Sequence, residues 1–153
     1  MKRNGIHLVA QNKKARHDFE ILSTFEAGMV LTGTEIKSIR EGRVQLKDGF
    51  GRIERGEAFL QDVYIAPYPN AGPFFNHEPT RRRKLLLHRR EIQRLAGKIQ
   101  EKGLAFIPLR VYLKGGKAKV EMALAKGMRK YEKREVLRKH DAQREIERAF
   151  RKR

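Results

Sequence analysis

Apolar and polar side chains alternate most cleanly between Ala105 and Leu124. Ala105, Ile107, Leu109, Val111 and Leu113 recur at every second position, with Arg110 and Tyr112 between them. After Gly115-Gly116, the residues Ala118, Val120, Met122 and Leu124 alternate with Lys117, Lys119 and Glu121. A period of two sends successive side chains to opposite faces of a strand, so this stretch predicts a hairpin with one buried face and a glycine turn. Upstream, a strand is predicted from Asp18, with Phe19, Ile21 and Phe25 on one side and Glu20 and Thr24 on the other. The rhythm changes over residues 34–40. There Ile36 and Ile39 share a helical face, Thr34 is placed to cap, Glu35 sits in the first turn and Gly42 ends the helix.

Residues 44–54 read as a strand interrupted at Asp48-Gly49 and Gly51, and Arg55-Gly56 as a turn. Residues 57–66 read as a strand whose buried face carries Phe59, Gln61, Val63 and Ile65. Residues 67–79 hold four of the five prolines together with Asn70, Gly72 and Asn76, which predicts a long loop. A second helix follows, in which Ile92, Leu95, Ala96 and Ile99 keep the helical spacing and Gly103 provides the stop. Residues 1–16 lack either period and are expected to form a basic, weakly docked N-terminal arm. About five strands with two or three short helices point to a mainly β fold, a small antiparallel barrel or curled sheet of the oligonucleotide-binding type. The predicted organisation is an arm over 1–16, a barrel over 17–127 and a basic tail over 128–153.

A chain of 153 residues makes one domain with appendages. Apolar residues are 39% of it, and only with the 13 glycines does the apolar share approach the globular norm, so the core is small. There is no cysteine, which excludes disulfides and thiolate metal sites and fits a reducing cytoplasm. No apolar run is long enough for a signal peptide or a membrane span, and no membrane partner is expected.

Charge changes the picture most. The formal net charge is +18, and residues 126–153 hold twelve Lys/Arg against five Asp/Glu with few bulky apolar side chains. Such a tail cannot build a core of its own. It is expected to be disordered when free and to become helical on a polyanionic partner, with Ala142, Ile146, Ala149 and Phe150 as a narrow apolar stripe behind Asp141. Residues 81–90 add six Lys/Arg and no acid, a self-repelling run that nucleic acid would neutralise. Neutralising roughly six phosphates would give a log–log salt slope of about −4 to −5. Tyr131, alone among the cations of the tail, is a candidate for stacking on a base.

Catalysis finds little support in the residues. The five histidines, His7, His17, His77, His88 and His140, show no metal-ligand spacing, so no metal or cofactor is expected. Neither a phosphate-cradling loop nor a nucleophile elbow occurs. Residues 47–53 echo the first RNA-recognition signature but have Asp48 and Arg52 where a cation and an aromatic are needed, and read as a turn. Glu26 and Glu35 read as salt-bridge or ribose-contacting groups.

Several ordered motifs resemble one family, SmpB, the protein partner of transfer-messenger RNA. They are Asn12-Lys13-Lys14-Ala15-Arg16-His17-Asp18-Phe19, Phe25-Glu26-Ala27-Gly28 and Gly33-Thr34-Glu35-Ile36-Lys37-Ser38-Ile39-Arg40. They continue with Arg83-Lys84-Leu85-Leu86-Leu87-His88, Gly116-Lys117-Ala118-Lys119-Val120, Ala125-Lys126-Gly127 and Tyr131-Glu132-Lys133-Arg134. The resemblance implies a non-enzymatic protein of the cytoplasm that clasps the tRNA-like domain of transfer-messenger RNA and brings it to stalled ribosomes, with elongation factor Tu in the delivery complex. By the same resemblance, Asn12, Arg16, His17, Glu26, Lys37, Arg40, Lys84, Leu86 and His88 would form the RNA face. Lys126, Arg129, Lys130, Tyr131, Lys133, Arg134, Arg138 and Lys139 would lie in the tail that enters the decoding centre and the empty messenger channel. Some relatives carry His at the place of Tyr131 and Asn at that of His88. The rival reading of the same composition is a constitutive ribosomal structural protein with a basic extension.

Overall fold

The computed structural model of the protein describes residues 5–101, 103–128, 138, 141–146 and 148–149. Among the described residues up to Met128, nine strands and three α-helices follow in the order β1 (Ile6–Gln11), α1 (Lys13–Asp18), β2 (Phe19–Met29), α2 (Gly33–Arg40), β3 (Val44–Gln45), β4 (Phe50–Glu54), β5 (Glu57–Gln61), β6 (Tyr64–Ile65), β7 (Arg83–Leu86), α3 (Arg89–Ile99), β8 (Leu104–Lys114) and β9 (Lys117–Gly127). Seven strands make one antiparallel sheet in the order β1-β8-β9-β2-β7-β5-β4, and β3 pairs with β6 alone. The mainly β, antiparallel class expected from the alternation is what the chain adopts. The sheet curls without a hydrogen-bonded ladder joining its edge strands β1 and β4. Packing draws it together instead. A Cβ built on Gly51 of β4 would lie 2.2 Å from the Phe106 ring of β8 and 2.9 Å from Met122 of β9. Only glycine lets β4 come that close to the far side of the core.

The main core holds Phe25, Ala27, Leu60, Leu85, Phe106, Val111, Val120, Met122 and Leu124 from the large sheet. Ile39 of α2 and Leu95 of α3, both fully buried, close it. A smaller cluster lies apart, where Ala15 of α1 packs against Ile107, Leu109, Ala123 and Ala125. The alternation in β9 explains both, since its even residues enter the main core and Ala123 and Ala125 point the other way. In β8 the pairing slips between Pro108 and Arg110, and in β2 between Ile21 and Ser23. Each slip inserts one residue and reverses the faces beyond it. Phe19 and Ile21 therefore pack with the smaller cluster while Phe25 enters the main one, although all three were expected on one side.

Three further expectations give way. Within the expected arm, residues 6–16 are not loose. β1 pairs with β8 and α1 packs on the sheet, so the part of the N-terminal segment from Ile6 onward belongs to the fold. Residues 57–66 are two strands, because Asp62 adopts φ 59° between β5 and β6, and the buried residues of β5 are Ala58 and Leu60 rather than Phe59 and Gln61. The cap of α2 is Thr32, whose hydroxyl accepts from Glu35 N while Glu35 Oε1 accepts from Thr32 N at 2.8 Å. In the tail, residues 141–146 and 148–149 are helical and exposed in the isolated chain. No helix among the described residues is long and apolar enough to cross a membrane.

Candidate nucleic-acid interface

The outward face of the large sheet collects the polar members of the alternating pattern. Directly paired residues of neighbouring strands point to the same side. One row thus runs Leu8, Tyr112, Lys119, Gly28, Leu86 across the five strands β1, β8, β9, β2 and β7. Beside it lies Arg110, Glu121, Glu26, and beyond β7 the pair Lys84, Phe59. Gly28 is the low point of this surface. A Cβ there would meet Leu86 Cβ at 3.3 Å and Lys119 Nζ at 3.7 Å, so both side chains lean over the glycine. Leu86 is 54% exposed, an apolar contact beside Lys119.

Glu26 organises one side of that surface. Its carboxylate accepts a short hydrogen bond from the Tyr112 hydroxyl and a longer one, 3.3 Å, from Lys114 Nζ. The Tyr112 bond and the nearby lysines hold the Glu26 carboxyl below its usual range against a smaller effect of burial, and burial together with the carboxylate pushes the Tyr112 phenol up. Glu26 is therefore ionised at neutral pH and fixes Tyr112 and Lys114 in place. Glu121 does the same for Arg110, at 3.1 Å, and for Arg16 of α1, at 3.7 Å. Lys84 Nζ lies 3.7 Å from Glu57. Lys117 and Lys119 stand beside these pairs without an ion-pair partner among the described residues, so the excess charge of this face is cationic.

Of the residues expected at the RNA face, Glu26, Lys84 and Leu86 meet on this surface, and Arg16 joins it through Glu121. His17, half exposed, is bonded to Asp18 at the end of α1. His88 caps α3, its backbone N–H donating to Glu91 Oε1 at 3.0 Å with the residue exposed. Lys37 and Arg40 stand on α2, which packs on β6, and Lys37 Nζ lies 5.4 Å from the centre of the Tyr68 ring. Asn12 is different. It is 6% exposed; its Oδ1 accepts from Ala15 N and its Nδ2 donates to Leu46 O and Pro108 O. Both ends of the amide are occupied, so Asn12 pins α1 to the sheet and sets Arg16 and His17 rather than offering atoms to a ligand. Lys126 is exposed at the end of β9 and Arg138 is exposed; Arg129, Lys130, Tyr131, Lys133, Arg134 and Lys139 lie outside the described residues.

Tyr112, Lys114, Lys119 and Glu121 were not anticipated as site residues. Their signal was present in the polar phase of the β8–β9 alternation. Hidden altogether was the support beneath α2. Glu35 is fully buried and bonded to Thr32 N, to Arg81 at 2.7 Å and to Arg83 at 2.6 Å. Arg83, also fully buried, donates onward to Val63 O and Pro79 O. Burial would raise the Glu35 pKa, but the bonds from Arg81, Thr32 and Arg83 outweigh it and bring it down to about 2. This cluster ties α2 to β7, and with them the elements that carry Lys37, Arg40, Lys84 and Leu86.

Comparison with known proteins agrees with the motifs. The family model described as SmpB protein matches residues 9–152. The chain is 58% identical over 151 residues to an SsrA-binding protein of Roseiflexus castenholzii, covering 98% of this chain and 96% of the relative. It is 62% identical over 143 residues to an SsrA-binding protein of a Sulfurihydrogenibium species, covering 94% and 93%. Among solved structures, a chain described under "tmRNA-SmpB: a journey to the center of the bacterial ribosome" superimposes with a TM-score of 0.68 at 47% identity, covering 86% of this chain and 96% of that one. With the matched model spanning nearly its whole length and these identities behind it, the chain belongs to the SmpB family.

Proposed function

We propose that this protein binds the tRNA-like domain of transfer-messenger RNA and delivers it to stalled ribosomes. The observation that carries the reading is the outward sheet face around Gly28, where Lys119 and Lys84 flank exposed Leu86 and Arg16 adds a cation farther along through Glu121. Cations placed by fixed carboxylates neutralise phosphates in one register, and an apolar side chain at the low point covers a sugar or base edge. Arg16 and His17 of α1, Lys37 and Arg40 of α2, and His88 at the start of α3 extend the contact to flanking backbone. Asn12 acts by positioning α1. The role is that of an RNA-binding adaptor in the cytoplasm, with elongation factor Tu in the delivery complex.

The basic segment beyond Gly127 takes the second task. A cationic tail and a messenger compete for one channel, so the tail enters only where mRNA is missing. Binding free energy then reports an absence. Lys126, Arg129, Lys130, Tyr131, Lys133, Arg134, Arg138 and Lys139 would follow the decoding centre and the channel, with helix formation in the tail completed there. The domain division follows: a folded RNA-binding body with β1 and α1 included, and a ribosome-reading tail from residue 128.

A gel shift at moderate salt tests the reading, with transfer-messenger RNA set against ordinary tRNA. Preference for the former is expected. Removing residues 128–153 should leave that affinity intact and abolish tagging on stalled ribosomes. Equal affinity for any polyanion, or loss of RNA affinity in the truncated protein, would overturn it.

A further inference from the structure

The loop between β6 and β7 carries two adjacent phenylalanines that no part of the proposed interface uses. Phe74 is 92% exposed and Phe75 82% exposed, the two most exposed large apolar side chains among the described residues. Neighbouring aromatic rings in water represent lost burial free energy, and soluble surfaces seldom keep them without a partner.

The loop is built to hold them out. Asn76 accepts from Tyr68 N at 2.9 Å through its side-chain oxygen and donates to Tyr68 O at 2.9 Å and Gly72 O at 3.3 Å. One side chain thus closes the loop across its neck. The next residue anchors it: His77 is buried, with Nδ1 2.8 Å from the Thr34 hydroxyl and Nε2 2.8 Å from Ile65 O. A loop fastened on both sides of the phenylalanines cannot easily fold them back onto the core.

The surroundings indicate the partner. From Ala66 to His77 the sequence contains no Asp or Glu. Lys37 lies against the Tyr68 ring at the base of the loop, and Arg43 donates to Pro67 O at 3.4 Å. Flat exposed rings on a loop with cations at its base suit a nucleobase that has left its stack, with the flanking phosphates near the lysine or arginine. A second copy of this basic chain would find cations at the base of the loop and no acid between Ala66 and His77 to complement its own basic groups.

We infer that Phe74 and Phe75 form a stacking site for an unpaired base of transfer-messenger RNA, on a loop whose base carries Lys37. The inference rests on the RNA-binding reading above. It extends the contact from the sheet face to the β6–β7 loop and adds base stacking to phosphate contact.

The chain contains no tryptophan, so Phe74→Trp and Phe75→Trp each place a single indole reporter in the full-length protein. Adding transfer-messenger RNA should quench the emission of at least one, as stacking on a base does. The double variant F74A/F75A should bind the same RNA roughly ten-fold more weakly. Its unfolding midpoint should not change, because neither ring is packed. Three results would overturn the inference: unquenched reporters on saturated complexes, unchanged affinity of F74A/F75A, or a response that appears only when ribosomes are added. Failure of the wild-type protein to prefer transfer-messenger RNA in the gel shift would instead remove the reading on which the inference stands.

Discussion

Glu35→Gln is the substitution whose consequence the structure defines most fully. The wild-type carboxylate sits at 0% exposure between Arg81, Arg83 and the N-cap of α2. Glutamine keeps the shape and can keep one or two hydrogen bonds, but it takes from the fully buried Arg83 the carboxylate it is bonded to. Removing one partner of a buried pair costs about 3–5 kcal/mol. Titration leads to a similar size independently. The Glu35 pKa falls from 4.5 to about 2 on folding, which corresponds to about 3 kcal/mol at roughly 1.4 kcal/mol per pH decade. Because the folded value is the lower one, this stabilisation is complete well above pH 4.5 and is lost as pH falls through 4.5 toward 2. Urea unfolding followed by circular dichroism should show the variant less stable by about 3–5 kcal/mol at pH 7. The loss corresponds to roughly 10–15 °C in thermal midpoint. The gap between wild type and variant should stay constant down to about pH 5.5 and then narrow. A gap under about 1 kcal/mol at pH 7, or one that does not narrow in acid, would refute the claim that Glu35 works as a buried counter-ion.

Asn12→Ala removes a cap and leaves the buried Leu46 and Pro108 carbonyls short of a donor. The expected loss is about 2–4 kcal/mol in urea unfolding, and weaker RNA binding with unchanged stability would mean the side chain touches RNA directly. Gly51→Ala pushes a methyl group into the Phe106 ring, so the thermal midpoint should drop by an amount equivalent to about 1–3 kcal/mol or more. Leu86→Asp sets a carboxylate beside Lys119 over Gly28. Filter binding should show transfer-messenger RNA affinity reduced by roughly ten-fold with little change in stability. Tyr112→Phe takes away the hydroxyl that most lowers the Glu26 pKa; carboxyl titration by NMR should show that pKa rising toward its ordinary range.

Local regularities in the sequence determined the class of the fold. The unbroken alternation of β9 is visible without a structure because residues two apart in one strand share a face whatever lies beside them. The Gly115-Gly116 turn, α3 and the Pro-rich loop were legible for the same reason, since each depends on neighbours along the chain. The net charge of +18 and the run at residues 81–90 pointed to a polyanion before any side chain was placed. The ordered motifs pointed to the family.

Tertiary structure decided whatever depends on partners distant in sequence. The register slips in β1, β2 and β8 are properties of pairing, so no one-strand pattern reveals that Phe19 and Phe25 face different clusters. Ile6–Gln11 alternates poorly and becomes a strand because the exposed edge of β8 needs a partner for its backbone. Among four consecutive cations, nothing in composition separates Arg83, fully buried on Glu35, from Arg82, lying 3.5 Å over the Phe59 ring. Asn12 reads as a surface polar residue until the fold brings Leu46 and Pro108 to it. Which charges face a ligand and which hold the scaffold is a question of burial, and burial is settled only when the strands have paired.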